Sequence, residues 1–162
     1  YKEAIAVLEE GISKFQWDIK FYEAAVMEYA VNGRNEYLRN PALAQEYWNR
    51  GLEIYGEVLR RMDMLKNLPE EQLQGRSFQV TPFLRQAVGQ IYYALRQYDE
   101  AVQILQPLKE SDIHDPYIRQ GIRYYLASLH QLGQSDDTLM TRLFEADANE
   151  RKELETLLRI SS

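Results

Sequence analysis

Three cap–proline pairs constrain the fold of this chain: Asn40–Pro41, Thr81–Pro82 and Asp115–Pro116. A cap side chain accepts a hydrogen bond from the free amides of a first helical turn, and a proline in that turn has no amide to leave unsatisfied. Apolar residues between these pairs recur every three or four positions, and no segment keeps the strict alternation of a half-buried strand. The chain is therefore predicted to be all-α.

About eight helices are predicted, over residues 1–14, 19–31, 41–66, 82–95, 98–109, 116–132, 135–146 and 148–159. Ser135 predicts the start of the seventh helix, and Asp147 with Glu150 three positions later predicts the start of the eighth. Gly33 and Gly133 predict helix ends, because glycine favours the residue that follows a helix.

Two segments stand apart from this rhythm. The predicted helix 41–66 carries apolar residues on a wide face, so we expect it to pack against neighbours on two sides. Residues 68–80 predict a short helical turn and an ordered loop in which Phe78 and Val80 pack inward. Arg76 either clamps a carbonyl or carboxylate of this loop or binds a ligand.

The segment VGQIYYALRQYDEAVQILQPL, residues 88–108, resembles the tetratricopeptide repeat, a helix–turn–helix unit of about 34 residues. Gly89 and Ala101 are the small residues where two helices would cross, and Tyr92 and Tyr98 would fill the space around them. The resemblance implies a right-handed α-α superhelix.

Weaker copies of the repeat extend the resemblance to nearly the whole chain, which is predicted to be a single domain, 1–162. We expect a partial repeat at 1–18, an enlarged one at 19–80, the strong one at 81–115, and a degenerate repeat with a capping helix at 116–162. The first of these lacks its first helix and the chain has no initiator methionine, so the sequence suggests a piece of a longer protein.

A narrower resemblance rests on three segments: KFQWDIKFYEAAV, AQEYWNRGLEIY, and LQGRSFQVTP ahead of GQIYY. Together they are similar to the soluble tetratricopeptide-type tails of bacterial O-antigen ligase and polymerase membrane proteins. This resemblance implies an accessory role in glycopolymer assembly, with the chemistry in a membrane part that would tether the domain. The compartment and the side of the membrane stay open.

Composition narrows the function classes. A net charge of −6 argues against nucleic-acid binding. Two histidines, no cysteine and no phosphate-binding glycine loop give no basis for a metal site, a cofactor or catalytic residues. No apolar run approaches the roughly 20 residues of a membrane span, so membrane insertion by this chain is not expected. We therefore expect a binding module, not an enzyme.

The register of the repeats predicts a concave binding wall, since the first helix of each repeat faces inward. The predicted wall residues are Lys20, Glu23, Met27, Phe83, Gln86, Gln90, Tyr93, Gln120, Arg123 and His130. Amide and aromatic groups dominate this set, which suits an uncharged peptide, a protein segment or a glycan chain. The same positions could equally be ordinary exposed polar groups.

Overall fold

The computed structural model describes residues 2–73 and 78–161, and every regular element in those residues is helical. The predicted all-α class is therefore confirmed, whereas the superhelix and the repeat boundaries stay predictions. The α-helices are α1 (Lys2–Lys14), α2 (Ile19–Glu36), α3 (Pro41–Lys66), α4 (Glu70–Leu73), α5 (Pro82–Ala94), α6 (Tyr98–Leu105), α7 (Pro116–Gln131), α8 (Asp137–Ala146) and α9 (Glu150–Ser161). A 3₁₀ helix, Gln106–Glu110, follows α6.

The three cap–proline pairs start helices as the sequence predicts. Asn40 and Thr81 each accept a hydrogen bond from the amide three residues ahead, at 3.2 and 3.1 Å. Asp115 accepts one from the amide two residues ahead at 2.8 Å. Gly133 follows α7 with φ of 73°, a conformation that glycine adopts without steric cost, and this helix end is also confirmed.

Other helix limits differ from the predictions. Gly33 lies inside α2 and not at its end, because it makes room for the indole of Trp48. Asp136, one residue after the predicted Ser135, caps α8 by accepting a hydrogen bond from the amide of residue 139 at 3.0 Å. The Asp147 carboxylate accepts from the amide of residue 149 at 2.9 Å, so it closes the turn before α9.

The chain divides into two compact units, with the boundary between Leu84 and Arg85 inside α5. In the first unit, α2 packs against both α1 and α3. Gly11 lies against the ring of Phe21, so a side chain at that position would collide with the aromatic ring. The core of α2 is formed by Tyr22, Ala25, Val26, Tyr29 and Ala30.

The helix α3 buries one stripe of residues and leaves Leu59 exposed, and its expected packing on two sides stays a prediction. Phe78 packs inward as predicted, with its ring centroid 5.6 Å from that of Trp17 and 5.3 Å from that of Tyr22. Arg76 lies outside the described residues.

In the second unit, α7 is the central helix and packs against α6, α8 and α9. The close approach expected at Gly89 is confirmed, because the side chain of Leu105 occupies the space where a side chain would be. Gly121 of α7 similarly accepts the side chain of Leu108. Glycines of α5 and α7 thus each admit a leucine side chain from the segment between these two helices.

Candidate functional site

A groove of about 560 Å³ opens in the first unit between α1 and α3, with Tyr22 of α2 in its lining. The α3 side carries Arg50, Glu53, Gly56, Glu57, Arg60 and Arg61. Most of these recur at intervals of three or four residues, which places them along one side of the helix. We call this space the α1–α3 groove.

One end of the α1–α3 groove is held by a polar network that joins three helices. The guanidinium of Arg50 donates to Glu9 through Nε at 3.0 Å and to Glu53 through Nη1 at 3.0 Å. The hydroxyl of Tyr29 donates to the other oxygen of Glu9 at 2.8 Å. The network therefore connects α1, α2 and α3 beside the groove.

This network changes the acidity of its members. Burial alone would raise the pKa of Glu9, but the hydrogen bonds from Arg50 and Tyr29 outweigh burial and lower it. Burial, followed by the neighbouring Glu9 carboxylate, raises the pKa of Tyr29 to about 12. Glu9 is therefore held ionised and Tyr29 neutral.

At the other end of the groove, Glu57 lies between two arginines of different exposure. Arg61, whose side chain is 14% exposed, places Nε 3.0 Å from a Glu57 oxygen as an ion pair without hydrogen-bond alignment. Its guanidinium also lies 5.1 Å from the ring centroid of Trp17, in a cation–π contact. Arg60 pairs with the other Glu57 oxygen, but its side chain is 69% exposed.

Gly56 differs from the other helical glycines with described surroundings. Gly11, Gly33, Gly89 and Gly121 each lie against a side chain, whereas a methyl group added at Gly56 would meet no described atom within 4 Å apart from its chain neighbours and its own helix backbone. Glycine inside a helix costs roughly 1 kcal/mol relative to alanine. Packing within the chain therefore does not explain Gly56, which lines the α1–α3 groove.

The predicted wall residues of the first unit have mixed exposure. Lys20 is exposed, and Met27 and Phe83 are half-buried. Glu23 is half-buried and accepts a hydrogen bond from the hydroxyl of Thr81 at 2.9 Å. None of these four residues lines the α1–α3 groove.

Three predicted wall residues of the second unit are core residues. Gln86 and Gln90 are buried, and the amide of Gln90 donates to the amide oxygen of Gln86 at 2.6 Å. Tyr93 is buried, with ring centroids 5.4 Å from Tyr98 and 5.3 Å from Tyr124. The prediction that these three side chains are presented to a ligand needs correction, because neighbouring side chains of α5, α6 and α7 pack around them.

Arg123 binds within the protein. Its Nε and Nη2 atoms donate to the two carboxylate oxygens of Glu150 at 2.7 and 2.8 Å, and Glu150 is buried. The bidentate pair fixes α9 onto α7. Gln120 is half-buried and His130 is exposed, so these two stay candidates for the predicted wall.

Sequence reasoning missed the charged side of α3. The available signal was a set of arginines and glutamates at intervals of three or four residues, interrupted by Gly56. Such charges on a helix are commonly just a solvated face, so the pattern alone does not identify a groove. The groove becomes evident only because α1 lies opposite.

A metal site and a membrane span each require a particular arrangement of residues. Among residues 2–73 and 78–161, no three His, Asp or Glu side chains lie together as a metal ion would require. No helix in the described part of the chain combines the length and hydrophobicity needed to cross a membrane. No known family model matches the chain, and no curated protein or solved structure shows significant similarity to it.

Proposed function

We propose that the chain is a tetratricopeptide-like interaction module that binds a partner peptide or protein and does not catalyse a reaction. The α1–α3 groove is its binding surface. The proposal keeps the class of function that the sequence predicts but moves the contact from the predicted concave wall. Lys20, Gln120 and His130 remain secondary candidates on that wall.

Gly56 is the observation that carries this proposal. A helix-interior glycine on an open surface lowers stability, and here it relieves no collision with a described side chain. It does leave space for another backbone to approach the helix closely. The groove volume of about 560 Å³ lies within the range of roughly 300 to 1,000 Å³ that is typical of ligand sites.

Substitutions at Gly56 test the proposal by separating stability from binding. Alanine and leucine are both good helix formers, so Gly56→Ala and Gly56→Leu should each raise the free energy of unfolding by about 1 kcal/mol. Only leucine projects a large side chain into the groove. We expect Gly56→Leu to weaken partner binding at least tenfold, and Gly56→Ala to weaken it much less.

A photo-crosslinking amino acid at position 56 would identify the partner for this measurement. The same crosslinker at the exposed Gln103 of α6 is the matched control. A partner that crosslinks from both positions, or that binds Gly56→Leu as tightly as the wild type, would show that the groove is not the binding surface.

A second candidate function is that of an accessory soluble domain in a membrane glycopolymer ligase or polymerase. It is favoured by the packing of two of the three segments that carry the resemblance, since Trp17 and Tyr22 of the first contact Phe78 of the third. The coding sequence upstream of Tyr1 tests it. Several apolar segments of about 20 residues each would support this function, and their absence would end it.

A further inference from the structure

We infer that the α1–α3 groove binds its partner through one large apolar side chain that packs onto Gly56, an inference that rests on the proposed function. The side chain is that of a leucine, phenylalanine or tryptophan in an uncharged segment of the partner. Three features support this choice of ligand. They are the use of the other helical glycines, the pairing of the charges around the groove, and the apolar floor of the groove.

Helical glycines of this chain make room for large apolar side chains from other segments. Four of the five with described surroundings do so, and the pairs are Gly11 with Phe21, Gly33 with Trp48, Gly89 with Leu105, and Gly121 with Leu108. A β-carbon on any of these four glycines would collide with its neighbour, so each glycine leaves space that the neighbouring side chain fills. Gly56 offers the same space, and no described side chain fills it, its chain neighbours Tyr55 and Glu57 aside.

This regularity favours a side chain over a backbone as the group that contacts Gly56. A glycine in a helix can admit either one. In this chain the four filled positions hold two leucines and two aromatic residues, and none holds a charged residue. We therefore expect the partner to supply a side chain of the same class at Gly56.

The charges around the groove are already paired within the protein. Three arginines and three glutamates are involved, so their charges sum to zero. The pairs are Arg50 with Glu9 and Glu53, and Glu57 with Arg60 and Arg61. A charged ligand would lose its hydration here without gaining an unpaired partner. A neutral ligand leaves every pair intact.

The floor of the groove supplies apolar contacts for such a ligand. Tyr22 and Ile54 are buried in this floor, and Ile12 on the α1 side is half-buried, so it keeps surface that a ligand can cover. The charged groups of the lining are more exposed, with Glu53 at 65% and Arg60 at 69%. An apolar centre with a polar rim is the arrangement in which one large side chain supplies most of the binding energy.

Blocked hexapeptides of serine and threonine that differ in one central residue test the inference. The central residue is leucine, tryptophan, alanine or glutamate, and binding to the whole chain is followed by fluorescence anisotropy and by the amide resonance of Gly56. We expect the leucine and tryptophan peptides to shift this resonance and to bind at least tenfold more tightly than the alanine peptide, because only they bury a large apolar surface. The glutamate peptide should bind no more tightly than the alanine peptide.

A variant that fills the space at Gly56 from within the protein gives a second test. Gly56→Leu should abolish the difference in affinity between the leucine and alanine peptides, because its own side chain occupies the space that the peptide needs. Gln103→Leu is the matched control, since it adds the same side chain at an exposed position of α6, and it should leave the difference unchanged. Equal losses in the two variants would overturn the inference. Circular dichroism melts of both variants confirm that they are folded.

The outcomes separate this inference from the proposed function. If the alanine peptide shifts the Gly56 resonance and binds as tightly as the leucine peptide, the groove binds a backbone and the inference is wrong. If the glutamate peptide binds most tightly, the ligand is acidic and the inference is again wrong. If no peptide shifts the resonance while a crosslinker at position 56 still captures a partner, the apolar class is wrong and the proposed function stands. If neither occurs, both are wrong.

Discussion

The arginines of the first and second units form the same kind of bond in different surroundings. Arg50 and Arg60 pair with glutamates on the surface of α3, and both side chains remain substantially exposed. Arg123 and Arg119 pair with Glu150 and Asp147 between α7 and the turn into α9, where the side chain of Glu150 is only 6% exposed. Burial therefore separates ion pairs that water screens from an ion pair that water hardly reaches.

This difference follows from the cost of desolvation. A buried carboxylate that loses its partner cannot regain water, so breaking its ion pair strongly destabilises the fold. An exposed pair loses little when it opens, because each group returns to water. The exposed pair of Arg60 with Glu57 therefore contributes little to the fold, whereas the pair of Arg123 with Glu150 holds α9 on α7.

The largest effect is expected when the ion pair between Arg123 and Glu150 is broken. Arg123→Met removes both hydrogen bonds to Glu150 and leaves its carboxylate buried, with the nearest guanidinium nitrogen of Arg119 3.7 Å away. We expect the free energy of unfolding to fall by about 3 kcal/mol, near the lower limit for a broken buried pair because Arg119 remains. Urea denaturation measures this change.

The double substitution Arg123→Met with Glu150→Met checks the physical reason. Replacing both charges with apolar groups removes the unpaired carboxylate, so the double variant should recover most of the stability that the single variant loses. A double variant as unstable as the single one would mean that the cost comes from packing and not from charge.

The second prediction concerns a buried polar group that has no partner. Asn32 of α2 is 2% exposed, and neither its amide nitrogen nor its oxygen has a hydrogen-bond partner among the residues that the structure describes. Asn32→Leu, of similar size, should raise the free energy of unfolding by about 1 to 2 kcal/mol, because the desolvation cost of the amide disappears. Asn32→Ala, which leaves a cavity, should gain less in the same urea experiment.

The fold was predictable from sequence wherever one residue type has one local role. The cap–proline pairs located three helix starts, because a side-chain acceptor followed by a residue without an amide hydrogen is favoured mainly at the first turn of a helix. Gly33 misled the prediction of a helix end, since glycine serves both to end a helix and to admit a large neighbour. Only the position of Trp48 in three dimensions distinguishes these roles.

The candidate site was less predictable, because it depends on what lies opposite a helix. The repeat register assigned Gln86 and Gln90 to an open wall, but a helix surrounded by neighbours buries more than one face. The charges of α3 are ordinary for an exposed helix until α1 is found across the groove. The burial of a side chain and the formation of a groove both depend on contacts between residues that are distant in sequence.

The third prediction tests the network of intermediate burial around Glu9. Tyr29→Phe removes one hydrogen bond to a carboxylate that keeps Arg50, so we expect a loss of about 1 kcal/mol at neutral pH. Burial and the Glu9 carboxylate raise the pKa of Tyr29 to about 12 in the folded protein, against about 10 for a tyrosine of the unfolded chain. Between pH 10 and pH 12 the Tyr29 hydroxyl is deprotonated in the unfolded chain but still protonated in the folded protein. The contribution of this hydroxyl to the free energy of unfolding is therefore complete below about pH 10 and falls as the pH rises.

Urea denaturation on both sides of this window measures the dependence. The stability difference between wild type and Tyr29→Phe should shrink as the pH rises from about 9 towards 12, because only the wild type has this proton to lose. A difference that stays constant with pH would mean that Tyr29 contributes through packing alone.

The smallest expected effect is the counterpart of the first. Arg60→Gln breaks an exposed pair with Glu57, which keeps Arg61, so the free energy of unfolding should change by less than about 0.5 kcal/mol. The same urea experiment that shows a large loss for Arg123→Met should show almost none here. A loss of more than about 1 kcal/mol would make Arg60 a structural residue, and the comparison between the exposed and the buried ion pairs would then fail.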